Sequence, residues 1–116
     1  MTPLLVTRGL AVTWTLAITV ACLLPSQDLP ELRFLPFSPD KFVHVGMFVG
    51  FGALWLAVAP RRAVAVAVAG VALGVGIEGL QGLLPVNRSP DPLDALADVV
   101  GLALGIGLAR YVARRA

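Results

Sequence analysis

Three pairs of polar residues interrupt the apolar runs of this chain at helical spacing: Asp40 and His44, Glu78 and Gln81, Asp94 and Asp98. Spacings of three or four residues put both members of a pair on one helix face. A carboxylate in hydrocarbon costs about 2.5–3.5 kcal/mol on insertion scales, so it indicates a functional site by default. Imidazole and carboxylate groups also exchange protons readily. We therefore take Glu78 and His44 as candidate catalytic acid/base residues.

Two basic residues near these acids, Lys41 and Arg88, suit an anionic ligand. Arginine offers a bidentate fork to phosphate or carboxylate, and lysine offers a point charge. The candidate ligand-binding residues are Asp40, Lys41, Gln81, Arg88, Asp91, Asp94 and Asp98. Mixed imidazole and carboxylate ligands would also suit zinc or manganese. The two cations compete for the same acids and no tight ligand motif is present, so we predict no metal and no other cofactor.

The elements that must position these residues are membrane helices. Of 116 residues, 58% are hydrophobic and only 14% are charged, which is too apolar for a soluble domain of this size. Runs of about 20 apolar residues are long enough to span a bilayer. We predict an all-α, polytopic membrane protein: one domain over residues 1–116, a bundle of four transmembrane helices at about 4–24, 41–59, 63–84 and 93–113. The positive charges cluster at the ends of these segments, so no nucleic-acid partner is expected.

Local signals define the boundaries between the spans. Ser38, Pro39 and Asp40 form a helix-start pattern before the second span. The basic turn at 60–62 is so short that the second and third spans must be antiparallel neighbours. The first span also resembles a signal peptide, but no cleavage site followed by a polar mature domain appears. Cys22 lies among apolar residues, where a thiol packs as a small hydrophobe.

The distribution of basic residues predicts the orientation of the bundle. Six of them (Arg8, Arg61, Arg62, Arg110, Arg114 and Arg115) lie on the side of the termini, against Arg33, Lys41 and Arg88 on the other side. Basic residues favour the cytoplasmic side, so both termini are expected in the cytoplasm. At about 1.5 Å per residue, His44, Glu78 and Asp98 then share one level, roughly 6–10 Å below the outer boundary.

Glycines predict which helix faces pack together. Gly70 and Gly74 share a stripe with Glu78, and Gly101 and Gly105 share one with Asp98. Small residues let helix backbones approach closely in lipid, so both acids are expected to face the bundle interior. Gly46 and Gly50 lie well round the second helix from His44, and we expect them to contact a different neighbour. The aromatic residues Trp14, Trp55 and Tyr111 are expected in the bundle or at the membrane interface.

Three motifs follow one another in the chain: Ser38-Pro39-Asp40-Lys41-x-x-His44, Gly74-x-x-x-Glu78-x-x-Gln81 and Pro85-x-x-Arg88-x-x-Asp91-x-x-Asp94-x-x-x-Asp98-x-x-Gly101-x-x-x-Gly105. In this order they resemble the VanZ-like family of small bacterial membrane proteins, over about residues 9 to 113. The resemblance implies a multi-pass protein of the bacterial inner membrane and a link to low-level resistance to the glycopeptide teicoplanin. It also supports Asp40, Lys41, His44, Glu78, Gln81, Arg88 and Asp94 as site residues. At Asp98 the family usually has asparagine, so this chain carries an extra acid.

Three functions are consistent with these residues, as hypotheses. The first is an outward-facing polar pocket that binds an anionic, lipid-linked ligand of the cell envelope, such as a cell-wall precursor, and could act on it; its partners would be membrane lipids. The second is a proton-coupled transporter, although no polar side chain continues the path through residues 63–76 or 99–109. The third is a purely structural polar network between helices, which we favour for Gln81 alone. The sequence leaves the oligomeric state undetermined.

Overall fold

The computed structural model of the protein describes residues 2–23, 39–83 and 92–115, with side chains in the second range from Lys41 onward. Four helices account for nearly all of these residues: α1 (Pro3–Leu23), α2 (Pro39–Val58), α3 (Ala63–Leu83) and α4 (Pro92–Arg115). All four are long and apolar enough to cross a membrane. The prediction of a four-helix, all-α membrane fold is confirmed. Arg88, Asp91 and the side chain of Asp40 lie outside the described residues.

Prolines and one tight turn define the helix boundaries. Pro3, Pro39 and Pro92 stand at the first position of their helices, where a missing N–H costs nothing because that group has no partner within the helix. Between α2 and α3, the amide of Arg62 donates to the carbonyl of Ala59 at 3.0 Å. The chain therefore reverses within four residues, and α2 and α3 are antiparallel neighbours, as predicted.

The most extensive contact in the bundle joins α2 to α4. The two helices run parallel, since Gly101 lies against Val45 and Gly105 against Val49. Within the described residues, α1 packs against α2 and α3 and makes no contact with α4. The core combines aromatic and aliphatic side chains from all four helices: Ile18, Phe48, Phe51, Leu56, Val66 and Leu102. Helix α2 thus lies at the centre of the packing, with α4 on one side and α1 on the other.

Glycines bring the backbones of α2 and α4 into contact. A β-carbon added to Gly101 would overlap the carbonyl oxygen of Val45, and one added to Gly105 would overlap that of Val49. Close approach through small residues is the usual way that helices associate in lipid, where burial from water supplies no driving force. This glycine contact lies next to the turns of α2 and α4 that carry the polar residues.

The packing of α1 relies on tryptophan. Nε1 of Trp14 donates to the carbonyl of Met47 at 2.7 Å, and Nε1 of Trp55 donates to Oγ1 of Thr15 at 2.8 Å. Gly50 makes room for the Trp14 ring, because a β-carbon there would lie 2.5 Å from it. The expected separate neighbour of Gly50 is therefore α1. For Gly46 no such neighbour is found among the residues that the structure describes, since a β-carbon there would meet none of them within 4 Å.

Candidate functional site

The first turns of α2 and α4 are joined by an ion pair between Nζ of Lys41 and Oδ1 of Asp94. Both side chains are largely buried, with 13% and 12% of their surface exposed. Asp94 lies in the first turn of α4, where a carboxylate is also stabilised by the positive end of the helix dipole. The pair therefore places one cation and one anion at the outer end of the α2–α4 contact under the predicted orientation.

One turn deeper, His44 connects the same two helices. Its Nδ1 lies 2.8 Å from Oδ1 of Asp98, and its Nε2 lies 3.9 Å from Oδ2 of Asp94. Both His44 and Asp98 are buried. When Asp98 is ionised it can only accept, so Nδ1 then carries the proton and donates it to the carboxylate. This contact fixes the orientation of the imidazole and directs Nε2 towards Asp94.

Helix α3 completes the surroundings of Asp98 through a glycine. A β-carbon added to Gly74 would lie 2.9 Å from Oδ2 of Asp98, so only glycine leaves full room for that carboxylate. Glu78 lies one helical turn further along α3 and is half-buried, and its Oε1 is removed from the surface. The carboxyl groups of α3 and α4 are therefore directed into the bundle, at neighbouring levels of one three-helix junction.

Gln81 makes a different kind of contact. Its Nε2 donates to the backbone carbonyl of Cys22 at 2.7 Å, which ties the end of α3 to the end of α1. Sγ of Cys22 lies 3.8 Å from the sulfur of Met47, and both residues pack within the bundle. Gln81 therefore acts as an interhelical tie in this structure, in agreement with the structural role favoured for it alone.

An apolar groove adjoins the polar residues on the lipid-facing side of α2 and α4, with a volume of about 260 Å³. We call it the α2–α4 groove, and its lining consists of Lys41, Phe42, Val45, Leu93, Leu96, Ala97 and Val100. Lys41 thus belongs both to the groove and to the ion pair with Asp94. A ligand could lie along the groove with one end at the ammonium group.

The structure brings together four of the predicted site residues: Lys41, His44, Asp94 and Asp98. We call these four the polar cluster. Lys41, which the sequence assigned to an anionic ligand, is ion-paired to Asp94 across the helix contact. No group of three or more His, Cys, Asp or Glu side chains within the described ranges is arranged to hold a metal ion.

Sequence reasoning missed the groove, since its apolar lining looks like any other part of a membrane span. One signal was present. Leu93, Leu96 and Val100 recur on α4 with spacings of three and four, which places them on one face. That stripe alone does not reveal whether a neighbouring helix covers it.

Comparison with known proteins assigns the chain to a family. The VanZ/LLP1 family matches residues 4–114, which is nearly the whole chain. The protein therefore belongs to this family, and the resemblance inferred from the three motifs is confirmed. No curated protein and no solved structure matches the chain.

Proposed function

We propose that this VanZ-family protein binds a lipid-linked ligand of the cell envelope, with the lipid chain in the α2–α4 groove and an anionic headgroup at Lys41. The observation that carries this proposal is the continuity between the two regions, because Lys41 lines the apolar groove and is also ion-paired to Asp94. A groove open to lipid admits a membrane-borne ligand from the side. A water-soluble ligand without an apolar chain would leave the apolar part of the groove unfilled.

The charges of the polar cluster restrict the headgroup. Lys41 supplies one cation, whereas Asp94 and Asp98 supply two acids on the same helix face, with Glu78 near them on α3. The acids weaken the attraction of Lys41 for an anion, and protonation of His44 would strengthen it. A headgroup that combines a phosphate or carboxylate with hydroxyl or amine donors matches both sets of groups, since carboxylates are strong acceptors.

A lipid-linked cell-wall precursor has this combination of groups. It would also fit the teicoplanin resistance that is associated with the family, because a protein that sequesters or presents such a precursor alters what a glycopeptide can reach. The His44–Asp98 contact additionally supplies the orientation that an acid/base imidazole needs. Any test of binding should therefore also examine the bound lipid for a chemical change.

The direct test measures retention of a polyprenyl phosphate against the corresponding polyprenol, which lacks the phosphate, by native mass spectrometry of the purified protein. We expect preferential retention of the phosphate form by the wild type and loss of that preference in Lys41→Gln. Arg115→Gln removes an exposed positive charge at the far end of α4 and should keep the preference. Equal retention of both lipids by the wild type would refute the proposal.

A second pair of variants tests the groove without disturbing the ion pair. Val100 lines the groove, whereas its neighbour Val99 does not, and the two are equally exposed at 45% and 44%. We expect Val100→Phe to obstruct the lipid chain and lower retention of both polyprenyl lipids, while Val99→Phe leaves it unchanged. Similar effects of the two substitutions would place the lipid elsewhere.

Teicoplanin susceptibility connects binding with the family phenotype. Expression of the wild type in a susceptible host should raise the inhibitory concentration of teicoplanin, and Lys41→Gln should abolish that increase at equal protein level. If Lys41→Gln abolished lipid retention but left the resistance intact, the lipid-binding site would not be the source of the phenotype.

A further inference from the structure

A second groove lies between α1, α2 and α3, at the opposite end of the bundle from the polar cluster. Its volume is about 420 Å³, and its walls include Thr15 on α1, Trp55 on α2, and Ala65, Ala69 and Leu73 on α3, with Arg62 at the α2–α3 turn. We call it the α1–α3 groove. It shares no residue with the α2–α4 groove, so a ligand in it does not depend on the function proposed for Lys41.

The packing of α1 explains why this groove is open. At the other end of the bundle, the Gln81 contact with Cys22 holds α3 against α1. Towards the α2–α3 turn, α3 presents Ala65 and Ala69, whose small side chains leave the space next to α1 unfilled. The indole of Trp55 donates to Thr15, so its N–H is satisfied and the ring offers an apolar surface to the groove.

The dimensions of the groove match one leaflet of a bilayer. From Ala63 to Leu73 the helix rises about 15 Å at 1.5 Å per residue, which is half of a hydrocarbon core of roughly 30 Å. A lipid chain that enters beside the turn would therefore run parallel to α3 for the full depth of its leaflet. On α3, no residue between Ala63 and Gly76 has a polar side chain.

The charge at the open end specifies the headgroup. Arg62 lines the groove, Arg61 precedes it, and both are exposed. Basic residues between transmembrane helices at a membrane surface bind anionic lipid headgroups, and each contributes about 1 kcal/mol. The described residues from Ala59 to Leu73 include no acid that would neutralise the two arginines.

From these observations we infer that the α1–α3 groove is a binding site for an anionic phospholipid, with one acyl chain between α1 and α3 and the phosphate at Arg61 and Arg62. Under the predicted orientation this site faces the cytoplasmic leaflet, opposite the leaflet of the polar cluster. The protein would then hold a structural lipid on one side and its headgroup ligand on the other.

Tryptophan fluorescence provides a direct readout, because Trp55 lines the groove and the chain has only two tryptophans. In a Trp14→Phe background, Trp55 becomes the single tryptophan, and a lipid with a brominated acyl chain quenches it on contact. The protein is reconstituted in nanodiscs in which brominated phosphatidylglycerol or brominated phosphatidylcholine replaces the unlabelled lipid stepwise. We expect half-maximal quenching at a lower fraction of phosphatidylglycerol, by about fivefold per contributing arginine.

Two matched pairs of variants assign that preference to the groove. The double substitution Arg61→Gln/Arg62→Gln should make the two quenching curves coincide, whereas Arg110→Gln/Arg114→Gln removes the same charge from exposed positions at the end of α4 and should not. Ala69→Leu keeps both arginines but fills the groove, so it should reduce quenching by phosphatidylglycerol. Val68→Leu changes a neighbouring, lipid-facing residue that is 63% exposed and should leave quenching unchanged.

Three outcomes would overturn the inference. Coincident curves for the wild type would show no selection for an anionic lipid, and an unchanged curve for Ala69→Leu would place the lipid outside the groove. Light scattering that revealed a dimer which Ala69→Leu dissociates would show that a second copy of the chain occupies the groove. Failure here would leave the polyprenyl phosphate result unaffected, because that experiment depends on Lys41 and Val100.

Discussion

Nδ1 of His44 lies 2.8 Å from Oδ1 of Asp98. This contact joins α2 to α4 through two residues that are 54 positions apart in the chain. The two side chains are buried on facing surfaces of α2 and α4, where water cannot replace either partner. The imidazole therefore depends on Asp98 for its orientation, and Asp98 in turn depends on the space that Gly74 leaves. The polar cluster is thus a product of three helices.

A double-mutant cycle should detect the coupling between these two residues. We expect His44→Ala and Asp98→Ala to destabilise the folded protein non-additively, with a coupling energy of about 0.6–1.7 kcal/mol, from the average to the largest value found for interhelical hydrogen bonds in membranes. Unfolding in mixed micelles of increasing SDS content, followed by circular dichroism, measures it. Asp98→Asn is the conservative control, since an amide still accepts a hydrogen bond, and additive single effects would contradict the contact.

Reversal of charge tests the pair between Lys41 and Asp94. Either Lys41→Asp or Asp94→Lys leaves two like charges in a largely buried place, so we expect each to cost about 3 kcal/mol of unfolding free energy. The double exchange restores opposite charges and should recover part of this loss. The same SDS titration measures the free energy of unfolding of these variants. Arg61→Asp, in the exposed turn, is the control, and its effect on this free energy should be small. Equal destabilisation by the single and double variants would argue against a direct pair.

The glycine contact between α2 and α4 should be sensitive to a single methyl group. Gly101→Ala introduces a β-carbon against the carbonyl oxygen of Val45, so we expect a loss of about 1–3 kcal/mol from overpacking. Gly107 lies on the same helix, where a β-carbon would meet nothing within 4 Å, and Gly107→Ala should gain roughly 0.5–1 kcal/mol from helix propensity. If both variants gained stability or both lost it, the close approach of Gly101 to the backbone of α2 would be contradicted.

Gln81 should contribute to stability and leave ligand retention unchanged. Gln81→Leu removes the donor to the Cys22 carbonyl, and we expect about 0.6 kcal/mol of destabilisation, the average for such bonds in membranes. Polyprenyl phosphate retention should stay at the wild-type level in native mass spectra. A variant with normal stability and lost retention would instead assign Gln81 to the ligand site.

The orientation of the bundle remains a prediction from the basic residues. A green fluorescent protein fused after Ala116 should fluoresce, because it folds in the cytoplasm, and alkaline phosphatase at the same position should be inactive. Exchange of Arg61 and Arg62 for glutamine removes two of the six basic residues on that side and should weaken the bias. An active phosphatase fusion on the wild type would show that the bundle has the opposite orientation, and both proposed leaflet assignments would then be exchanged.

The sequence by itself determined the four helices, with bounds within two residues of those observed. The physical reason is that the thickness of the bilayer sets the length of each apolar run, and prolines mark where the helices begin. It also predicted that His44, Glu78 and Asp98 share one level, since the helical rise converts sequence position into depth. In the structure the α3 residue beside Asp98 is Gly74, one turn from Glu78. The sequence also predicted Gly101 and Gly105 as positions of close helix packing, and the structure shows both against the backbone of α2.

Only the tertiary structure decided that α2 makes its most extensive contact with α4, and which side chains meet there. Every span is apolar over most of its surface, so hydrophobicity does not distinguish the α2–α4 contact from that of the adjacent helices α2 and α3. The choice depends on the steric match between Gly101, Gly105 and the backbone of α2, which involves residues far apart in the chain. The partner of Lys41, the orientation of His44 and the α2–α4 groove result from that match, whereas the α1–α3 groove results from the packing of α1. All of them appear only when the helices are assembled.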